Sequence, residues 1–239
     1  MAPPRFLLER LPAAGETAWL DRDEARHALG SRRLTAGDSV ELVDGRGAIA
    51  TATIGSDRNA DGNPGAVVMS VQRVPRAVPA VHVATALPKG DRLSTLLDAI
   101  GELAVESITP LHCNRSVTPA DKLAGERTTR ILTEAMKQSR GAWLTEVRPA
   151  MSPAEFARAS LEAGRCTVVL DPRGRPLQPL TAGSTSVAML AGPEGGFSEL
   201  ELRELHELGV APASLGGTVL RVELAVAVAC GVICASMAD

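Results

Sequence analysis

The spacing of apolar positions changes near residue 80. Before it, apolar residues come in short alternating runs, the period of a half-buried strand. Arg5 to Leu8 predicts a short strand. Asp38 to Gly45 alternates and ends in Asp-Gly, and Gly47 to Ile54 alternates again, which predicts a hairpin. Residues 55–65, rich in Gly, Asn and Asp, predict a loop, and Val67 to Val74 a further strand. Asp23 to Leu29 predicts a short helix capped by Asp21 or Asp23. Short strands at this spacing imply a small β-barrel. Pro75, Arg76 and Pro79 then form a stiff linker. The expected division is a barrel domain over 1–74, a linker over 75–80 and a second domain over 81–239.

The second domain alternates strands with longer helical stripes. Val81 to Leu87 reads as a strand, and Leu93 to Leu103 as a helix with apolar residues at 93, 96, 97, 100 and 103. Ile108 to Leu111 is a strand, Lys122 to Gln138 a helix with Ile131, Leu132 and Ala135 inward, and Pro153 to Ala163 a helix opened by proline. Thr167 to Leu170, Val187 to Leu190 and the segment before Leu215 supply further strands. This βα alternation predicts an α/β fold with a parallel sheet. Leu224 to Ala238 is almost wholly apolar but shorter than the ~20 residues of a membrane span. It reads as a buried helix, with a strand left open by its Val-Ala alternation.

Two glycine turns stand out in the last third. Gly192-Pro193-Glu194-Gly195-Gly196-Phe197-Ser198 follows the apolar run Ser186 to Ala191 and precedes a stripe with Leu at 200, 202, 205 and 208. The turn therefore joins a strand to a helix, with Ser198 as N-cap and Glu199 and Glu201 in the first helical turn. Ser214-Leu215-Gly216-Gly217-Thr218-Val219-Leu220-Arg221 forms the second turn. Two such turns at strand ends point to one cleft, because ligands of open α/β sheets bind outside the carboxyl ends of strands. A dinucleotide fingerprint starting at Gly192 would need glycine at 194 and 197, where Glu194 and Phe197 stand. No Gly-Lys-Ser/Thr occurs, and Glu194 would repel a phosphate. A ligand with a cationic or neutral end fits better. The residues alone also allow ordinary tight turns that hold nothing.

Composition adds exclusions. Among 239 residues, 45% are hydrophobic, enough for real cores, but aromatics are 2% and tyrosine is absent. Base stacking on an aromatic platform is therefore not expected. The net charge is -3, so a polyanion must meet local arginines and not an overall field. Cys113, Cys166, Cys230 and Cys234 form no Cys-x-x-Cys, and no metal-ligand spacing appears, so core thiols in a reducing, cytoplasmic setting and no metal are expected. No signal peptide or membrane segment is expected either.

The two glycine turns carry a resemblance. With Ala86-Leu87-Pro88-Lys89-Gly90-Asp91-Arg92, Thr109-Pro110, Arg115-Ser116-Val117 and Lys137-Gln138-Ser139 in the same order, the chain resembles the RsmE-type ribosomal RNA methyltransferases of the SPOUT superfamily. His27 to Arg33, Ala36-Gly37-Asp38 and Asp44-Gly45 are similar to that family's PUA-like barrel. The chain departs from the family's usual residues at Ala99, Ala104, Asn114, Gly141, Gly217 and Leu224. The resemblance implies a trefoil-knotted methyltransferase domain behind a PUA-like RNA-binding barrel, working as a homodimer. It also implies methylation of N3 of a uridine in small-subunit ribosomal RNA, with S-adenosylmethionine (SAM) as cofactor; methylation of another RNA, and a non-catalytic RNA-binding or ribosome-assembly role, stay open. Cofactor contacts would come from Leu170, Leu190, Ala191, Gly192, Gly195, Gly196, Leu215, Gly216, Val219 and Leu220.

Uridine N3 must lose its proton, so a guanidinium beside the developing anion is expected. Arg221 is the first candidate and Arg115 the second, with Glu194 orienting Arg221 or lying near the sulfonium. An ion pair of Arg221 with Glu223 or Glu194, and a capping role for Glu194, stay open. His27, Arg32, Arg33, Lys89 and Arg92 are the expected RNA contacts.

Overall fold

A computed structural model describes residues 2–235. The chain divides into two compact units. Residues up to Arg76 together with Met136–Leu144 form the first, and Ala77–Ala135 with the residues from Thr145 onward form the second.

The first unit contains β1 (Arg5–Leu7), β2 (Thr17–Trp19), α1 (Arg22–Arg26), β3 (Ser39–Val43), β4 (Ala48–Arg58) and β5 (Pro64–Arg73). They build one sheet in the order β1-β3-β4-β5-β2, in which only the β1–β3 pair is parallel. Alternation sends Val40, Leu42, Ala50, Ala52, Ile54 and Val68 into a core with Phe6 and Leu20. The predicted hairpin is β3–β4, with Val43 opposite Ile49. Its turn is set by Asp44, whose Oδ1 accepts the N–H groups of Arg46 and Ala48 at 2.7 and 2.9 Å. Residues 55–65 are not a loop throughout. β4 runs on to Arg58 and β5 starts at Pro64, because Asn59 Oδ1 closes the turn by accepting from Asp61 and Asn63. Strand β2 carried too short a pattern to be read from the sequence.

Met136–Leu144, assigned by its pattern to the second domain, belongs to the first unit. Met136 and Ala142 pack with Val43 and Ile49, and Trp143 Nε1 donates to the Val74 carbonyl at 3.0 Å. Polar ties accompany this packing. Arg5 donates to the Gly141 carbonyl at 2.7 Å and shares Glu41 with Arg140. Lys137 Nζ meets both oxygens of Glu24 at 2.8 and 3.1 Å, and both residues are buried. None of these partners is near in sequence, so periodicity could not show them.

The second unit contains β6 (Ala80–Thr85), α2 (Asp91–Glu102), β7 (Ser107–Pro110), α3 (Glu126–Gln138, as far as Ala135), β8 (Glu146–Val147), α4 (Pro153–Glu162) and β9 (Cys166–Pro176). It continues with α5 (Leu177–Thr181), β10 (Ser186–Ala191), α6 (Glu199–Glu207), β11 (Ala211–Ser214) and α7 (Val222–Ala235). All six strands are parallel, in the order β11-β9-β10-β6-β7-β8. Central strands of such a sheet are covered on both faces, which is why Val187 to Ala191 is uniformly apolar and uniformly buried. The expected helix Lys122–Gln138 is broken: a single turn spans Ala120–Leu123, and α3 starts only after Gly125, whose φ is 128°. Strand β9 extends well past Leu170, and β8 and α5 are elements the pattern did not reveal. The apolar C-terminal run is helical through Ala235; its expected last residues, 236–238, lie outside the described ones.

Glu24→Ala removes the carboxylate that Lys137 Nζ meets in this buried pair. It should cost about 3 kcal/mol in urea unfolding, and a loss below about 1 kcal/mol would mean solvent replaces the pair.

Candidate functional site

Three strands of the second unit, β9, β10 and β11, are hydrogen-bonded neighbours, and the chain leaves each of them beside one cavity of about 930 Å³. Its walls are Leu170 to Arg173 in the irregular middle of β9, where the register against β11 shifts, Ala191 to Phe197 at and after the end of β10, and residues between Leu215 and Val222 after β11, with Thr218 among them. Arg92 and Arg115 add two side chains from the segments after β6 and β7.

The turn after β10 has a defined shape. Phe197 is buried, and its ring lies where a side chain at 192 would go: a Cβ there would be 2.9 Å from Phe197 Cδ2. Gly196 sits at φ 70°, with its N–H on the Pro193 carbonyl at 2.8 Å and open space where a side chain would be. Ser198 then caps α6 as its residue type predicts. Its Oγ accepts from Glu201 N–H, and Glu201 reaches back to Ser198 N–H at 2.6 Å, a full capping box. Leu200, the first residue of the expected stripe, is exposed, whereas Leu202, Leu205 and Leu208 pack on the core.

The structure brings most of the expected site residues to this cavity. Leu170, Ala191, Gly192, Gly195, Gly196, Leu215, Gly216, Val219 and Leu220 line it, as do Arg221, Arg115 and Glu194. Leu190 does not: it is buried within β10, paired with Ala84 on one side and Val169 on the other. Arg221 has an exposed side chain and pairs with neither Glu194 nor Glu223. Glu194 forms its ion pair with Arg92, and Glu223 holds Oε2 buried without a hydrogen-bond partner. Arg115 Nη1 donates to the Gly195 carbonyl at 2.8 Å and the Phe197 carbonyl at 3.4 Å.

Of the residues expected to meet RNA, Arg92 stands in the cavity wall and Lys89 is exposed outside it. His27, Arg32 and Arg33 lie in the first unit, on a wide helical turn in which Arg32 N–H reaches five residues back to the His27 carbonyl. His27 is half-buried, edge-on to Phe6, and Arg32 and Arg33 are exposed.

Sequence reading missed Asp171 and Arg173. Asp171 accepts from Arg173 Nε and Nη2 at 3.1 and 2.9 Å and from its backbone N–H at 2.8 Å. That side-chain hydrogen bond holds the Asp171 carboxyl below the usual carboxylate range, so the cavity wall carries a fixed anion. Its signal was slight: an Asp-Pro-Arg-Gly turn at the end of an apolar run.

A parallel-sheet unit with a glycine-rimmed cavity at its strand ends defines an α/β protein built to hold a small ligand there. Residues 75–234 match the RNA methyltransferase domain, and residues 20–60 match the RNA methyltransferase PUA domain. Ribosomal RNA small subunit methyltransferase E of Mycobacterium bovis is 30% identical over 237 residues, spanning 95% of this chain and 90% of that protein. The crystal structure of the Neisseria gonorrhoeae ribosomal RNA small subunit methyltransferase E bound to S-adenosyl methionine superposes with a TM-score of 0.86 at 25% identity, over 96% of both chains. A Legionella pneumophila protein solved with bound cofactor SAM superposes with a TM-score of 0.84 at 28% identity, over 99% of this chain and 98% of that one. The chain thus belongs to the RNA methyltransferase family whose members are named ribosomal RNA small subunit methyltransferase E.

Of the four cysteines expected in the core, Cys230 is buried, and Cys113, Cys166 and Cys234 are half-buried. Burial, aided by the Glu201 charge, pushes the Cys113 thiol up to about 12, and burial raises Cys230 and Cys234 as well. A thiol raised in the folded state favours folding below its unfolded pKa and loses that contribution as pH climbs toward the folded value. Stability should therefore fall from about pH 9 upward, and Cys113→Ala should lessen the fall. Equal slopes in urea unfolding at pH 8 and 10.5 for both proteins would remove Cys113 from this account.

Proposed function

We propose that this protein is a SAM-dependent methyltransferase that modifies N3 of a uridine in small-subunit ribosomal RNA. The observation that carries the reading is the cavity between the two glycine turns in a chain of this family. The residues fit the cofactor. Gly196, Gly216 and Gly217 have no atom within 4 Å of where a side chain would stand, so backbone groups are open to an adenosine. The Asp171 carboxylate, held in place by Arg173, offers ordered acceptor oxygens to a ligand with hydrogen-bond donors. SAM supplies an electrophilic methyl group. The protein's own contribution is positioning and charge. Leu170, Ala191, Gly192, Gly195, Leu215, Val219 and Leu220, which line the cavity, would hold the cofactor, and Leu190, buried within β10, would not touch it. Arg221, exposed at the cavity and without an ion-pair partner, is the guanidinium that faces the uridine oxygens and stabilises the N3 anion. Glu194 acts on Arg92, its partner, and not on Arg221.

The first unit is the RNA-binding domain, and its match over residues 20–60 spans His27, Arg32 and Arg33. In the second unit Lys89 and Arg92 add RNA contacts, Arg92 from the cavity wall. Val219 in the cavity wall and Leu224 on α7 are exposed at 83% and 50%, apolar side chains that a second copy in a homodimer would cover. The C-terminal part of the second unit would carry the trefoil knot that the family resemblance implies. A cytoplasmic setting agrees with four free cysteines, and no helix among the described residues is long and apolar enough to cross a membrane. No cluster of metal-binding side chains occurs among those residues.

Mass mapping of small-subunit RNA incubated with the protein and SAM tests the reading directly: it requires a single methylated uridine, and unmodified RNA rejects it. Arg221→Ala should lower the single-turnover rate by about a hundredfold while changing affinity for SAM and RNA little, with partial recovery at higher pH as uridine ionises unaided. A loss of SAM affinity at an intact saturated rate would make Arg221 a pocket residue. Replacing Arg32 and Arg33 together by alanine should weaken RNA binding and flatten its salt dependence by about two phosphate contacts, leaving SAM binding alone. An unchanged slope would make them a solvated face.

A further inference from the structure

Arg115 and Asn114 follow β7 and reach the turn after β10, eighty residues later in the chain. Their contacts fall on both ends of that turn. Arg115 Nη1 takes the Gly195 and Phe197 carbonyls at 2.8 and 3.4 Å. Its stem runs over Gly195, whose side-chain position would lie 3.6 Å from Arg115 Cδ. Asn114 N–H donates to Glu201 Oε1 at 2.8 Å, and Asn114 Nδ2 donates to Ser198 Oγ at 3.1 Å. Glu201 and Ser198 are the two partners of the α6 capping box. One pair of residues thus holds the carbonyls inside the turn and the cap that ends it.

The turn needs such a hold. It carries glycines at 192, 195 and 196, which leave the unfolded backbone its widest freedom. Its only internal backbone bond of the turn type is Gly196 N–H to Pro193. A guanidinium fixed on two carbonyls supplies charge-assisted bonds at the place where the backbone is least constrained. Arg115 is anchored by those carbonyls, whereas Arg221 on the opposite turn has no such anchor.

We propose that Arg115, with Asn114, is a positioning residue that straps the Gly192–Ser198 turn into the shape the cofactor requires, and that it does not touch the reacting atoms. Its effect on catalysis passes through cofactor binding. The enzymatic part of this inference rests on the methyltransferase reading; the mechanical part does not.

The test uses the full chain carrying Arg115→Ala, Arg115→Lys or Asn114→Ala, with thermal unfolding as the check that each folds. Hydrogen exchange is followed across residues 192–198 without cofactor, and KM for SAM and kcat are measured on small-subunit RNA. Arg115→Ala should speed exchange in the turn and raise KM for SAM by about tenfold, the size of one lost charged hydrogen bond. Its kcat at saturating SAM should change by less than about threefold, well short of the hundredfold expected of an anion-stabilising donor. Lysine should recover part of the KM loss by donating to one carbonyl, and Asn114→Ala should loosen the same turn more mildly. Unchanged exchange and KM with a collapse of kcat would overturn the strap and make Arg115 a catalytic residue. If the wild-type protein methylates no RNA, the methyltransferase reading fails while exchange still judges the strap. If Arg115→Ala does not fold, Arg115→Lys and Asn114→Ala decide it by the same measurements.

Discussion

The backbone turn from Gly192 to Ser198 is the constraint on which the site depends. Phe197 turns back over Gly192 and is buried in the core with Leu205 and Val210. Ser198 and Glu201 lock the first turn of α6 directly behind it. Between these fixed ends Gly196 faces open space, while the Arg115 stem lies over Gly195. A rigid frame around a side-chain-free stretch brings backbone groups close to a ligand without a Cβ in the way. The cavity's other walls meet this turn because β9, β10 and β11 are adjacent in a parallel sheet, which puts their carboxyl ends on one edge.

Charge in the cavity is arranged in pairs. Asp171 is held by Arg173, Glu194 by Arg92, and Arg115 by backbone carbonyls. Each of these ties holds its side chain in one geometry and keeps its charged group hydrogen-bonded when solvent is displaced. Arg221 is the arginine of this set without such a tie. An untied guanidinium at the cavity is the one free to meet charge that develops only during reaction.

The first unit shows a second use of distant contacts. Its sheet contributes the core, but Met136, Ala142 and Trp143 come from a segment beyond residue 135. Apolar packing supplies the attraction there, and the ties of Arg5, Arg140 and Lys137 fix which residues meet. Buried polar pairs of this kind stabilise less than their Coulomb energy implies, yet breaking one partner leaves a costly unpaired group.

Local pattern determined a large part of this protein. Alternation placed the β3–β4 hairpin, apolar runs placed β6, β7 and β10, 3.6-residue stripes placed α2 and α6, and an opening proline marked α4. Ser198 with Glu201, and the glycines at 192, 195 and 196, marked the strand-to-helix turn where the cavity lies. These were legible because helix period, capping and glycine conformation depend on neighbours a few residues away. Tertiary structure alone decided the rest. The break at Gly125, the first-unit place of Met136–Leu144, the Glu194–Arg92 pair and the grip of Arg115 on Gly195 all join residues far apart in the chain or depend on what packs against them. Asp171 was hidden for the same reason. A carboxylate at the end of an apolar run looks like any turn residue until the sheet sets that strand end beside the two glycine turns.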